Sequence, residues 1–174
     1  TFLFAMVSIL FPQKCLSIYS NDQVVITRGA QYLRVVAPSY LFFGINVSFA
    51  VSSRNTEHLK LPAVATITSV LLNAVLNYLF IFGVVINGVQ IIQPYGIIGA
   101  AAATVISRIV EAMIVVGGVY LRKYEVAAPL KDFIVKDKSF IAHYAKISLP
   151  VLANELLWGC GISMQSSIFA HSGT

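Results

Sequence analysis

The sequence predicts an all-α membrane protein, a polytopic bundle of transmembrane helices. Hydrophobic residues make up 57% of the 174-residue chain and charged residues only 11%. A soluble domain carries about 25% charged residues, and the mean hydropathy of +0.81 lies far from the soluble range. Ala63 to Ile86 contains no Asp, Glu, Lys, Arg or His. An uncharged run of about 18 residues or more reads as a membrane span. Backbone polar groups in lipid must be satisfied internally, which leaves helices and closed barrels. The apolar runs here are continuous and lack the alternation of a barrel strand, so helices are expected.

Five apolar segments follow one another. Residues 1–12 read as the tail of a cut helix, because Phe2 to Phe11 is too short to cross a bilayer. Residues 30–52, 62–86 and 97–121 are expected as full spans, the first kinked at Pro38. Residues 143–172 form a last span that opens through Leu149-Pro150. The polar stretch 122–142 reads as a linker between two halves. This divides the chain into residues 1–121 of an N-terminal helix bundle, a cytoplasmic linker at 122–142 and residues 143–174 as the first helix of a second bundle. Thr1 lies inside an apolar run, Gly173-Thr174 follows directly on an apolar helix, and no signal-peptide pattern is present. An internal piece of a longer chain is therefore expected.

Sidedness follows from the basic residues. Arg54 and Lys60 flank one connection, and Arg122, Lys123, Lys131, Lys136, Lys138 and Lys146 lie in or beside another. Both connections fall on the same side, opposite Lys14, Arg28 and Arg34. The basic side is cytoplasmic by the positive-inside rule. The net charge of +5 is thus explained by topology, and no nucleic-acid partner is implied. Cys15 and Cys160 define neither a disulfide framework nor a metal site.

Polar residues inside the spans are the candidate functional groups, since they are costly in lipid unless hydrogen-bonded. Thr66, Ser69, Asn73 and Asn77 are spaced i, i+3, i+7 and i+11, on one helical face. This stripe either bonds to neighbouring helices or lines a path for a cation or substrate. The 97–121 helix opens with Gly96, Gly99 and Ala100 to Ala103, small residues suited to close helix packing. Thr104, Ser107, Arg108 and Glu111 follow. Arg108 and Glu111 are i, i+3 neighbours able to pair, and charges at that depth are functional candidates or a structural ion pair. The last span carries Asn154, Glu155, Trp158 and Gln165. Glu155 sits near mid-depth with no basic residue after it in the span. Burial there disfavours the charged form, which suits a proton carrier or a cation ligand. Tyr40, Phe42, Phe43 and Phe49 face either lipid or a cavity for flat apolar molecules.

Taken in order, these residues resemble the multidrug and toxic compound extrusion (MATE) family. The resemblance is carried by Leu72-Asn73-Ala74-Val75-Leu76-Asn77-Tyr78-Leu79-Phe80-Ile81-Phe82-Gly83, by Pro94, and by Gly96-Ile97-Ile98-Gly99-Ala100-Ala101-Ala102-Ala103-Thr104. After the linker, Leu149-Pro150-Val151-Leu152-Ala153-Asn154-Glu155-Leu156-Leu157-Trp158 looks like the opening of the family's second half. The resemblance implies two six-helix lobes around a central cavity, with this chain covering about the third to seventh of twelve helices. It implies a monomeric, multi-pass plasma-membrane transporter that exports organic cations or amphipathic drugs by antiport with H+ or Na+, with no cofactor beyond the coupling ion. Family members with a cation site in the first lobe use an acidic residue on the first helix, outside this sequence. They add an Asn and an Asp on the fifth helix, falling on Asn73 and Asn77, and a Thr on the sixth, falling on Thr104. Asn77 stands where the family has Asp, so that site would lack one charge. Members with a site in the second lobe use a Glu on the seventh helix, matched by Glu155, with Asn154 beside it. The connection from Val84 to Tyr95 is longer than is usual in the family.

Two other functions share parts of this pattern. A related flippase would have the same fold and export lipid-linked saccharides. A membrane-embedded enzyme would need clustered acids for a metal or a His–acid pair, and the spans show no such catalytic constellation. The topology is open to direct test. A single cysteine at position 136, in protein with Cys15 and Cys160 changed to Ser, is expected to react with an impermeant maleimide only after cells are opened. Labelling from outside intact cells would invert the assignment.

Overall fold

The computed structural model describes residues 1–86, 89–129 and 137–172. Its elements in chain order are α1 (Phe2–Leu10), α2 (Pro12–Ser17), α3 (Gln23–Val36), α4 (Ser39–Asn55), α5 (Lys60–Phe82), β1 (Val84–Ile86), β2 (Val89–Ile92), α6 (Gly96–Leu121) and α7 (Lys138–Ser172). Contacts divide the chain into two units. One comprises Thr1–Leu16 and Asp22–Ala127; the other comprises Ser17–Asn21 and the chain from Ala128 onward.

Among the described residues, three helices are long and apolar enough to cross a membrane: Lys60–Phe82, Gly96–Leu121 and Lys138–Phe169. At ~1.5 Å per residue, α5 is about 35 Å long, sufficient for the ~30 Å hydrocarbon core. The pair α3 and α4 passes the same test only as one broken span, bent by 52°. Large apolar side chains on these helices are extensively exposed, Leu71 at 63% and Leu121 at 85% among them. Such a surface belongs against lipid or further helices, not water. The chain is an all-α membrane protein with three or four candidate spans among its described residues.

The broken span corrects the expectation of a single kinked helix over 30–52. Asp22 accepts a hydrogen bond from the Val24 N–H at 2.8 Å, and this N-cap starts α3 at Gln23. The break falls at Ala37-Pro38. Proline lacks the N–H that an uninterrupted helix requires and its ring collides with the preceding turn. The chain restarts at Ser39, whose hydroxyl donates to the Val36 carbonyl at 2.7 Å. Arg28, which falls before the expected span, and Arg34, within it, both lie on α3, exposed, while Ile26, Ala30 and Val36 are its buried residues.

The last helix also begins earlier than the expected residue 143. The Asp137 carboxylate accepts from the Ser139 N–H at 2.8 Å, again an N-cap, and α7 runs from Lys138 through Pro150 to Ser172. Much of the expected linker, residues 130–136, lies outside the described residues.

α5 and α6 form an antiparallel hairpin, the most extensive helix contact in the first unit. α5 stops at Phe82 and not at 86. Gly83 adopts a φ of 75°, a left-handed conformation that glycine reaches without steric cost. The antiparallel strands β1 and β2 follow, pairing Val84 with Ile92, Val85 with Gln90 and Ile86 with Val89. The Tyr95 N–H donates to the Phe80 carbonyl at 2.8 Å, which brings the start of α6 back onto the end of α5. At the opposite end, His58 stacks on Tyr124 with ring centroids 3.7 Å apart. The α4–α5 connection and the C-terminal end of α6 therefore meet, and Arg54, Lys60, Arg122 and Lys123 share one end of the bundle.

The small residues of α6 set how closely the hairpin packs. Ala101 and Ala103 are fully buried, as is Ala65 on α5. A Cβ on Gly99 would lie 2.5 Å from the Phe80 carbonyl oxygen, a backbone atom that cannot rotate away. A Cβ on Gly118 would meet the end of the flexible Leu61 side chain. Gly99→Leu is therefore expected to cost at least the ~1–3 kcal/mol typical of overpacking, with Gly118→Ala milder. Thermal unfolding of the purified variants in detergent, followed by size-exclusion chromatography, should show that order. Equal stability of Gly99→Leu and the parent would mean that the helices are not in this register.

Candidate functional site

The polar stripe of α5 faces α6. The antiparallel register brings Leu61 to Gly118, Thr66 to Glu111, Ser69 to Ser107 and Phe80 to Gly99, each step along one helix matched by a step back along the other. Polar groups from the middle of both helices consequently meet at one depth. The Ser69 hydroxyl donates to the Ser107 carbonyl at 3.0 Å, and the Ser107 hydroxyl donates to the Ala103 carbonyl at 2.8 Å. Thr104 is likewise tied to its own helix, donating to the Ala100 carbonyl at 3.0 Å. These bonds satisfy hydroxyls that lipid would leave unpaired.

Glu111 is the most buried charged residue of the site, 3% exposed. Its two carboxylate oxygens have separate partners. Oε1 accepts from the Thr66 hydroxyl at 2.9 Å and Oε2 accepts from Arg108 Nη1 at 3.1 Å. The expected i, i+3 ion pair is thus formed, with a third partner supplied by the neighbouring helix. The pair is lopsided. The Arg108 side chain is 40% exposed and that of Glu111 only 4%. The guanidinium also lies over the ring of Phe43 on α4, 4.9 Å from its centroid. Cation–π contact of this kind offsets part of the cost of holding a charge away from water.

A cavity of about 260 Å³ opens beside this pair, lined by Thr66, Ser69, Asn73, Thr104, Arg108 and Glu111 among others. A second, of about 250 Å³, is lined by Tyr32, Val36, Ser39, Tyr40, Phe43, Thr104 and Arg108. Thr104 and Arg108 line both. Asn73 and Thr104 thus share a cavity wall. Asn77 is not part of that wall, but its Nδ2 donates to Asn73 Oδ1 at 2.9 Å, while its own Oδ1 is buried without a hydrogen-bond partner. Glu155 and Asn154 are exposed residues of α7 in the other unit, and Glu155 falls at the middle of that helix. Among the described residues, no group of three or more His, Cys, Asp or Glu could hold a metal ion.

Several participants were not singled out by the sequence. Tyr32, Val36 and Ser39 enter the second cavity beside Tyr40 and Phe43, and their spacing along the chain is that of one helical face. The chain bends at Pro38 between them. The tie from Thr66 to Glu111 depends on the register of α5 against α6, which a single helix does not reveal.

Charged and polar groups thus gather between candidate membrane-spanning helices, around cavities at mid-span, and ionisable groups in that setting are functional-site candidates by default. The MatE family model matches residues 1–79, somewhat less than half of the chain, and this match supports a fragment of a MATE-family transporter. The match includes Asn73 and Asn77 and ends before Thr104, Arg108, Glu111 and Glu155. No curated protein and no solved structure matches the chain.

The lopsided ion pair predicts unequal mutant costs. Arg108→Gln leaves a buried carboxylate without its counter-charge and is expected to destabilise by about 1–3 kcal/mol. Glu111→Gln leaves a half-exposed guanidinium that still reaches water and Phe43, so its cost should be smaller. The double variant should recover stability relative to Arg108→Gln alone. Thermal unfolding in detergent of all three gives the coupling. Additive losses would show that the two residues do not pair.

Proposed function

We propose that the protein is a secondary active exporter of organic cations or amphipathic drugs, driven by antiport with H+ or Na+ across the plasma membrane. The observation that carries this reading is the polar cavity at mid-span in a chain whose residues 1–79 match the MatE family model. Asn73, Thr104 and the hydroxyls beside them supply uncharged oxygen where lipid-facing helices would have none. Oxygens of this kind suit weak, reversible binding of a cation that must both enter and leave. The Asn73–Asn77 amide pair retains one unsatisfied buried oxygen, an acceptor in search of a donor or cation.

Glu155 has a separate role in this reading, as the exchangeable charge. It is the acidic residue at the middle of α7, neutral when protonated and anionic when not. A proton and a cationic substrate can occupy it alternately but not together, which is the minimum that antiport requires. Bundles of this type rock to expose such sites to one side at a time.

Glu155→Gln keeps the side-chain shape but fixes it neutral. The variant of the intact protein, reconstituted in proteoliposomes, is expected to insert normally and to lose ion-driven efflux of a cationic dye by tenfold or more. Efflux equal to the parent under an imposed pH or sodium gradient, at matched protein levels, would remove Glu155 from the coupling step.

A further inference from the structure

The charge that the site presents to the second cavity is positive, since Arg108 lines it and Glu111 does not. Glu111 is covered, and both of its oxygens are already occupied by Thr66 and Arg108. Arg108 is the open partner, 40% exposed, and Glu111 accepts from one of its two terminal nitrogens. A guanidinium carries five N–H donors in a planar fork, so most of its donor capacity is unspent. The Ser39 and Thr104 hydroxyls in the same wall give their protons to backbone carbonyls, and the hydrogen bond that Arg108 makes is the one to Glu111.

The second cavity supplies what an amphipathic ligand needs beside that fork. Val36, Tyr40 and Phe43 present apolar and aromatic surface within it, and Arg108 forms part of the same wall. A cationic group would be repelled here by the guanidinium. An anionic group would meet hydrogen-bond donors and a positive charge together. Planar carboxylates match the fork best, because two parallel N–H···O bonds can form at once.

We infer that the cavity between α3, α4 and α6 is a binding site for aromatic carboxylates, with Arg108 holding the carboxylate and Tyr40 and Phe43 flanking the ring. Arg108 then bridges two carboxylates, its own Glu111 and that of the ligand. Glu111 fixes the direction of the guanidinium but also weakens the ligand's attraction by like-charge repulsion. The site goes beyond the cations of the transport reading by adding an anionic amphipathic ligand class, and rests on that reading only in taking the cavity to admit substrate.

Equilibrium binding to the intact protein in detergent, with no ion gradient, tests this with 2-naphthoate and its neutral isostere 2-naphthamide. The parent is expected to bind the acid at least about tenfold more tightly than the amide. Glu111→Gln should tighten the acid and leave the amide unchanged. The double variant Arg108→Gln/Glu111→Gln, which leaves no buried charge unpaired, should bind both compounds alike. A merely structural ion pair would not shift acid and amide differently, nor would its two members act in opposite directions. Absence of naphthoate binding to the parent, or an acid preference that survives in the double variant, would overturn the assignment. Because no transport step is involved, failure here leaves ion-driven efflux intact, and loss of efflux leaves the binding result intact.

Discussion

Two helices that cross a membrane side by side gain little from burying apolar surface, because lipid tails are as apolar as leucine. What holds α5 to α6 must therefore come from close van der Waals approach and from polar bonds. Both are visible. Gly99 lets the α6 backbone reach the backbone of Phe80, and Ala65, Ala101 and Ala103 leave no bulk between the helices. The Ser69–Ser107 and Thr66–Glu111 bonds then cross the gap. The register so fixed decides which residues line the mid-span cavities. A different register would move Glu111 away from Thr66 and leave a carboxylate without a second partner.

The same constraint explains the composition of the site. Every buried polar group needs a partner, and the helices supply most of them locally. Ser107 and Thr104 bond back to their own backbone, and Arg108 bonds one turn on to Glu111. The groups not satisfied in this way, the Asn77 oxygen and the outward part of the Arg108 fork, are left with capacity for something else. A membrane protein that only needed stability would have little reason to keep a half-exposed guanidinium at that depth. The division of labour is also electrostatic. Uncharged oxygens on α5 suit a cation, whereas the open guanidinium on α6 suits an anion.

The break at Pro38 has a positional consequence. A straight helix through residues 23–55 would carry Tyr32 and Tyr40 along one line. The 52° bend instead lets Tyr32 and Val36 from α3 share a cavity with Tyr40 and Phe43 from α4, and it is this aromatic side that Arg108 contacts. A change of main-chain direction thus creates a concave surface from two helical segments.

Hydrophobic patterning alone established the membrane class, the α5 and α6 spans and the polar face of Thr66, Ser69 and Asn73, because a 3.6-residue period and uncharged runs are properties of the chain itself. The i, i+3 pairing of Arg108 with Glu111 was legible for the same reason. Other local signals set the element boundaries. Asp22 and Asp137 are N-caps that move the starts of α3 and α7 toward the N-terminus, and Gly83 ends α5 ahead of residues 84–86, which were expected to continue the helix. The tertiary structure decided the rest. Which hydroxyl reaches Glu111, which residues share a cavity with Arg108, and which member of the ion pair stays open all depend on how one helix is placed against another. Sequence spacing specifies the face a residue occupies but not what lies opposite, since that is set by backbone contacts such as Gly99 on Phe80, between residues distant in the chain.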